Sequence, residues 1–364
     1  MPPEIPRTPD LAPDHPHAGG GAAPNGPPRA LFVIPCFNHG AHVADAVASA
    51  LAQEAADVRV VVVNDGSDDN STPGACDALA GDRVKVVHQA NAGLPAARNA
   101  GIEACAEGDH DHFVWLDADD TVAPSFVREL HAAIERADDD GVSHAYCYER
   151  ILAPGAKDTV WRTPEWNSDL LLLTNLHPVT ALVRRSAMDD VGPFDTHFRE
   201  GYEDWELWVR MALAGRRGVR VEKPLFDWRR HGGESLIDAA VKKHDELFAR
   251  LFDKHRAAYI ERAERLFKLW NHVARAGDVN WLDHSLRPMS VLGLSQHITA
   301  LEGWLTQAQH AHAAAIDRLG AEKDAHAQTK ARIAQLEAEL ERMRSLRGAA
   351  GTMAQRLRAR LGMR

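Results

Sequence analysis

Three short apolar runs, each broken off by a polar cluster, constrain this chain more than any other feature. They are ALFVIP (30–35), RVVVVND (59–65) and HFVWLD (112–117). Short runs rich in Val and Ile suit strands buried on both faces. KVVH (85–88) reads as a further, shorter strand. Between the runs lie helix-like segments. Residues 41–52, AHVADAVASALA, space Val43, Val47, Ala50 and Leu51 at helical intervals, and PAARNAGIEACA (95–106) is rich in alanine. Strands alternating with helices predict an α/β domain with a mainly parallel sheet flanked by helices. In such sheets ligands collect at the carboxyl ends of the strands. PCFNHG, NDGSDD and DADD all fall at those ends.

The remaining chain divides by composition. Residues 1–29 hold nine of the 19 prolines and no apolar signal-peptide core, which predicts a disordered tail. The alternating domain is expected over 30–240, with a first half at 30–130 and a second, looser half rich in Trp, His and Arg at 131–240. Residues 241–300 read as long amphipathic helices, from Leu247, Leu251, Phe252, Tyr259, Leu266 and Leu269 among charges. Within 301–347, Ile333, Leu336, Leu340 and Met343 keep a 3-4-3 spacing, so a lone helix and a dimeric coiled coil both remain open.

The formal net charge of −10 argues against nucleic acid as a partner. It is unevenly placed, because residues 341–364 carry a net +6. In the tail 348–364, Met353, Leu357 and Leu361 share one helical face and arginines occupy the others. That pattern suits peripheral contact with an anionic membrane, or a simply solvated helix. Cys36, Cys76, Cys105 and Cys147 form no CxxC pair, and no apolar stretch approaches the ~20 residues of a membrane span. The expectation is a cytoplasmic protein, with the inner membrane face as a peripheral location.

Five clusters carry candidate chemistry. In WLDADD (115–120) three carboxylates follow an apolar run, and a divalent cation would relieve their repulsion. The competing reading is that Asp119 or Asp120 caps a following helix, with Thr121 and Pro124 in its first turn. In VVVNDGSDDNS (61–71), Asp65 either belongs to a turn or accepts hydrogen bonds from a nucleobase or ribose. Arg98, in a small-residue helix, could meet a phosphate or hold the aspartates in place. In GYEDWELW (201–208), Glu203 and Asp204 lie among aromatic residues, where desolvation suits a general base; a helix N-terminus is the plainer reading. WRRHGGES (228–235) places Arg229, Arg230 and His231 where a diphosphate or metal could be met, although a lone histidine is more often structural.

In this order the motifs resemble the family 2 glycosyltransferases of GT-A fold. The resemblance rests on VIPCFNHG (33–40), VVVNDGSDD (61–69), NAGLPAARNAG (91–101), WLDADD, GYEDWELW and WRRHGGES, and covers about residues 30–235. It implies a GT-A (Rossmann-like) sheet followed by a helical extension. It also implies a nucleotide-sugar donor site made by Pro35, Phe37, Asn38, Asp65, Arg98 and Asp117. Asp119 and His231 would ligate Mn²⁺ or Mg²⁺, and Asp204 would be the catalytic base with Glu203 as its neighbour. The implied reaction is a single inverting transfer of one sugar to a glycan or lipid-linked acceptor in bacterial surface glycan or glycoconjugate synthesis. WRRH stands where processive synthases carry QxxRW, which points to one sugar per acceptor. The alternative is a catalytically silent nucleotide-sugar-binding scaffold. A nucleotidyltransferase would show a Gly-rich phosphate loop with a lysine, and VIPCFNHG has none.

Overall fold

The structure, a computed structural model, describes residues 26–105, 108, 110–137, 139–155, 157–231 and 235–276, together with helical residues between 323 and 341. The chain divides into two units, Met1–Leu294 and Ser295–Arg364. In the second unit residues 326–336 are helical and expose Ile333 and Leu336. The expected N-terminal tail up to residue 25, most of the candidate coiled coil and the basic tail lie outside the described residues.

In the first unit one nine-stranded sheet runs in the order β3-β2-β1-β4-β8-β6-β9-β5, with β7 paired to β6. The strands are β1 (Arg29–Cys36), β2 (Asp57–Asp65), β3 (Val84–Gln89), β4 (His112–Trp115), β5 (Thr121–Val122), β6 (Val142–Leu152), β7 (Thr159–Trp161), β8 (Leu182–Arg184) and β9 (Arg217–Arg229). β1 pairs in parallel with β2 and β4, β2 with β3, and β6 with β9. β8 runs antiparallel to β4 and β6, and β5 and β7 are antiparallel to their partners. The mainly parallel expectation holds.

Period-two alternation decides what each face buries. Ala30, Phe32 and Ile34 of β1 join one cluster with Val60, Val62, Val114 and Leu116. Helices α1 (Val43–Leu51) and α4 (Phe126–Ala137) close that cluster through Val43, Val47, Phe126 and Leu130. On the opposite face lies α3 (Leu94–Glu103), where Gly101 packs so tightly that a Cβ would stand 2.3 Å from Val33 Cγ1. α2 (Thr72–Asp77) connects β2 to β3. The second half is less regular. Tyr148 of β6 faces Pro224 of β9, and the register shifts on either side of Tyr148. Proline donates no ladder bond, so a bulge there follows.

Two expectations need correction. The segment after WLDADD does not begin a helix at Thr121, because Thr121 and Val122 form β5 against β9 and α4 starts only at Phe126. The long helices expected after residue 240 are broken into four, α7 (Leu236–Lys242), α8 (His244–Lys254), α9 (Arg256–Glu261) and α10 (Ala263–Ala276), of which only the 14-residue α10 is long. α5 (Arg185–Val191) and α6 (Glu203–Leu213) precede them. The boundary drawn at 240 falls inside α7, whose Ala240 is buried against Gly201.

Candidate active site

A cavity of about 670 Å³ opens at the carboxyl ends of β1, β2 and the segment after β4. Pro35 and Phe37 line it from the end of β1, and Phe37 is 42% exposed. Asn38 does not line it. Its side chain faces the 64–71 loop instead, donating to Asp68 Oδ1 at 2.8 Å and accepting from the Asp68 amide at 3.0 Å. Asn38 therefore ties the first two strand-end loops together, with its backbone at φ 59°. Asp65 is buried at the end of β2 and accepts from Gln89 Nε2 at 2.7 Å, Ala92 N at 2.8 Å and Gly93 N at 2.9 Å. Asp65 thus holds the loop before α3, beyond the plain turn role that composition allowed.

WLDADD delivers three carboxylates into three different settings. Asp117 accepts from Arg98 Nη2 at 3.0 Å. Asp120 is 2% exposed and accepts the Arg229 backbone N–H at 2.8 Å. Burial, then the charges of Asp117 and Asp119, raises its carboxyl well above the usual range. Asp119 is raised in turn by burial and by Asp117. Because α4 starts six residues beyond Asp120, helix capping explains neither Asp119 nor Asp120. Asp119 Oδ2 lies 3.3 Å from His231 Nε2 and 3.9 Å from His39 Nδ1, and His42 stacks on His231 at 4.3 Å.

Arg98 is fully buried and bridges two motifs. Nη1 donates to Glu203 Oε1 at 2.6 Å and Nη2 to Asp117, while the guanidinium lies 5.4 Å over the Phe194 ring. Burial works against its charge, and Asp117, Glu203 and Asp204 outweigh that penalty. Of the two roles left open for Arg98, this geometry meets the second, holding carboxylates in place. Asp204 stands in the first turn of α6. It accepts from Trp205 N at 2.6 Å and from Asn175 Nδ2 at 3.1 Å. Burial, then the charge of Glu203, pushes its carboxyl up to about 7. That value suits proton transfer near neutrality. The helix N-terminal reading of Asp204 holds, and it leaves the general-base reading open.

Several cavity residues escaped the sequence reading. Glu149 on β6 is 5% exposed, and burial raises it to about 8. Asn175 orients Asp204, and Arg199 and Asn91 line the mouth. His39 and Asn91 lay inside quoted motifs and could have been noticed there. Glu149 and Asn175 lie in the irregular second half, where no local pattern marks them.

Among the described residues no group of three or more His, Cys, Asp and Glu side chains stands ready to enclose a metal ion. A different arrangement fits. Buried Asp120 and half-buried Asp117 and Asp119 repel one another, and His39 and His231 lie near Asp119, a set that could accept a hard cation keeping several waters. Asp119 and His231, 3.3 Å apart, would be the pair to hold one. Among the described residues no helix is long and apolar enough to cross a membrane.

The chain is 27% identical over 228 residues to the glycosyltransferase GlyG of Streptococcus pneumoniae, covering 56% of this chain and 71% of that one. It is 42% identical over 119 residues to the succinoglycan biosynthesis protein ExoO of Rhizobium meliloti, about a third of each chain (32% and 32%). The chain spans only 31% and 27% of the length of uncharacterized glycosyltransferases from Rickettsia felis and Rickettsia bellii. Among solved structures, a Pyrobaculum calidifontis mannosyltransferase in complex with GDP-Man and Mn²⁺ superposes with a TM-score of 0.46 at 18% identity, over 81% of this chain and 87% of that one. The sequence profile described as "Glycosyl transferase family 2" matches residues 31–192. Over those residues, this chain carries a glycosyl transferase family 2 domain.

Proposed function

We propose that this chain is a metal-dependent glycosyltransferase that moves one sugar, with inversion, from a nucleotide-diphosphate sugar to an acceptor hydroxyl. One observation carries the reading. A single cavity holds a cation-seeking aspartate cluster and, across Arg98, a carboxylate poised near neutrality. A binding module has no need of the second. The parallel β3-β2-β1-β4 half agrees with the GT-A arrangement that this chemistry would use.

In this reading Pro35, Phe37 and Asp65 surround the base and Asp117 meets the ribose. Asn38 acts indirectly, by fixing the loops. Asp204 takes the proton of the acceptor hydroxyl while the oxygen's electron pair forms the bond to the anomeric carbon. The bond from that carbon to the diphosphate breaks, and its pair leaves with the nucleoside diphosphate. Mn²⁺ or Mg²⁺, when held by Asp119 and His231, would supply charge neutralisation for the leaving group. The acceptor is a glycan or lipid-linked hydroxyl compound of bacterial surface glycan synthesis, a role that the name of the succinoglycan relative supports.

Thermal shifts with UDP, GDP, dTDP and CDP, each with Mn²⁺ and with EDTA, test the donor site. Metal-dependent stabilisation by at least one nucleotide, lost in Asp119→Asn, is expected. No shift with any nucleotide sinks the reading. Asp204→Asn should keep that shift and lose transfer by about 10²- to 10⁴-fold. Unchanged transfer would remove Asp204 as the base, and a wild-type chain that binds donors without transfer would favour the silent scaffold.

A further inference from the structure

Arg199 follows the short turn Thr196–Phe198 and reaches back to the loop before α3. Its Nη2 donates to Asn91 Oδ1 at 2.5 Å. Its stem lies across Gly93, where a Cβ would stand 2.5 Å from Arg199 Cγ. Gly93 has φ +89°, a conformation that already calls for glycine, and its missing side chain makes room for the arginine. The same loop is held from beneath by Asp65, through Ala92 N and Gly93 N.

The other cavity arginines are matched. Arg98 pairs with Glu203 and Asp117, Arg229 with Asp45, and Arg230 with Asp238. Among the described residues Arg199 meets the neutral Asn91 and no carboxylate. It is exposed and lines the cavity, as Phe37 does. Its position is also informative. Asp65 ends β2 and Asp117 follows β4, with β1 between them, so the two lie about 10 Å apart across the sheet. Arg199 meets the 91–93 loop that Asp65 holds, whereas the donor-site reading puts the diphosphate at Asp119 and His231. Three N–H donors already fill most of the Asp65 carboxylate, which leaves base discrimination to other groups.

Resting on the donor-site reading above, we infer that Arg199, braced by Asn91, reads the nucleobase and selects bases that present a ring carbonyl to it. A guanidinium offers only donors. Uracil O4 or guanine O6 accepts from it, whereas the amino group at that position in cytosine or adenine leaves two donors facing each other. Guanine can take the fork at O6 and N7 together and uracil at O4 alone; a bidentate contact discriminates by about 1–3 kcal/mol, roughly 5- to 150-fold in affinity, and the single contact by less. Lysine at this position would keep the charge without the planar fork.

Calorimetric titration of the full chain with UDP, GDP, CDP and ADP in Mn²⁺ tests this. The wild type should bind UDP or GDP at least tenfold tighter than CDP and ADP. Arg199→Ala should keep nucleotide binding, more weakly, but bring the four within about threefold, whereas Arg199→Lys, which also offers only donors, should retain part of the preference. An unchanged preference in Arg199→Ala overturns the assignment, as does equal binding of all four by the wild type. A uniform loss for all four nucleotides in the variants also overturns it, since that marks a phosphate contact. In each of those cases the donor-site reading stands if Asp119→Asn still abolishes Mn²⁺-dependent binding. A wild type that binds none of the four overturns both.

Discussion

The two halves of the sheet place their polar residues differently. In the first half, β1, β2 and β4 are mainly apolar, and the polar residues that line the cavity follow at their carboxyl ends. In the second half, polar and aromatic residues lie within the elements themselves. His144, Tyr146 and Glu149 are buried along β6. His144 stacks on Trp208 and His177 on Tyr146, with the two imidazoles 3.2 Å apart. A strand whose chemistry waits at its end can be buried as a plain apolar layer. A strand with chemistry along its length needs each buried group matched by a partner distant in sequence. Arg98 joins the two designs, since it rises from α3 in the first half and grips Glu203 in the second.

Breaking that join should produce the largest effect. Arg98→Met leaves Glu203, itself 5% exposed, as a buried charge without its counter-ion. Removing one partner of a buried pair costs about 3–5 kcal/mol. Urea denaturation should show a loss of that size, and adding Glu203→Gln should return part of it, because the stranded charge disappears. A loss below about 1 kcal/mol would mean that the halves are held together by apolar packing alone.

The second prediction sharpens the contrast through pH. His177 donates from Nδ1 to Pro178 O at 3.0 Å, so its Nε2 is left to accept from His144 Nε2, while Ser143 Oγ lies 2.8 Å from His144 Nδ1 and also donates to Arg217 O at 3.1 Å. Burial lowers His177 to about 3, and burial with His177 lowers His144 well below the ordinary value. The folded state therefore refuses protons that the unfolded chain binds. Stability is full above about pH 6.5 and falls as pH drops towards 3, by up to about 1.4 kcal/mol per pH unit for each histidine. His177→Gln should flatten the slope of denaturant stability against pH by about one proton. His112 in β4, also lowered to about 3 by burial, should account for part of the slope that remains. An unchanged slope in the variant would show that the pair already titrates freely.

The same contrast explains what could be read from sequence. VVVNDG and WLDADD announce themselves because an apolar run stops at a polar one, and that break is local. The helical start at Glu203 and its acids were legible for the same reason, since GYEDWELW changes character within two residues. The β6–β9 pairing was not legible. It joins residues 74 to 77 positions apart with a register shift at Pro224, and nothing near Tyr148 records the partner. Asn175 and Glu149 gain their place from that pairing and its neighbours. Arg98 was visible as an arginine among small residues, but its burial depends on Glu203, 105 positions away. The helix expected at Thr121 failed because pairing with Asp227 and Phe226 of β9 overrode a plausible first turn.

The smallest predicted effect concerns α7, the element that closes the second half over the cavity. Ser235 caps it: its Oγ accepts from Asp238 N at 3.3 Å, and Asp238 Oδ2 accepts from Ser235 N at 3.1 Å. A helix of seven residues (Leu236–Lys242) has too few internal bonds to persist unaided. It is fixed by this capping box and by Ala240 against Gly201, while Leu236 and Ile237 remain exposed beside the cavity. Ser235→Ala should cost about 1 kcal/mol. Hydrogen exchange should place that loss in α7 amides alone and leave β1, β2 and β4 at wild-type protection, because the apolar layer of the first half does not depend on the cap. Equal loss in those strands would mean that both halves open as one unit, and that the division between an end-loaded sheet and an internally matched one is a difference of chemistry without a difference of stability.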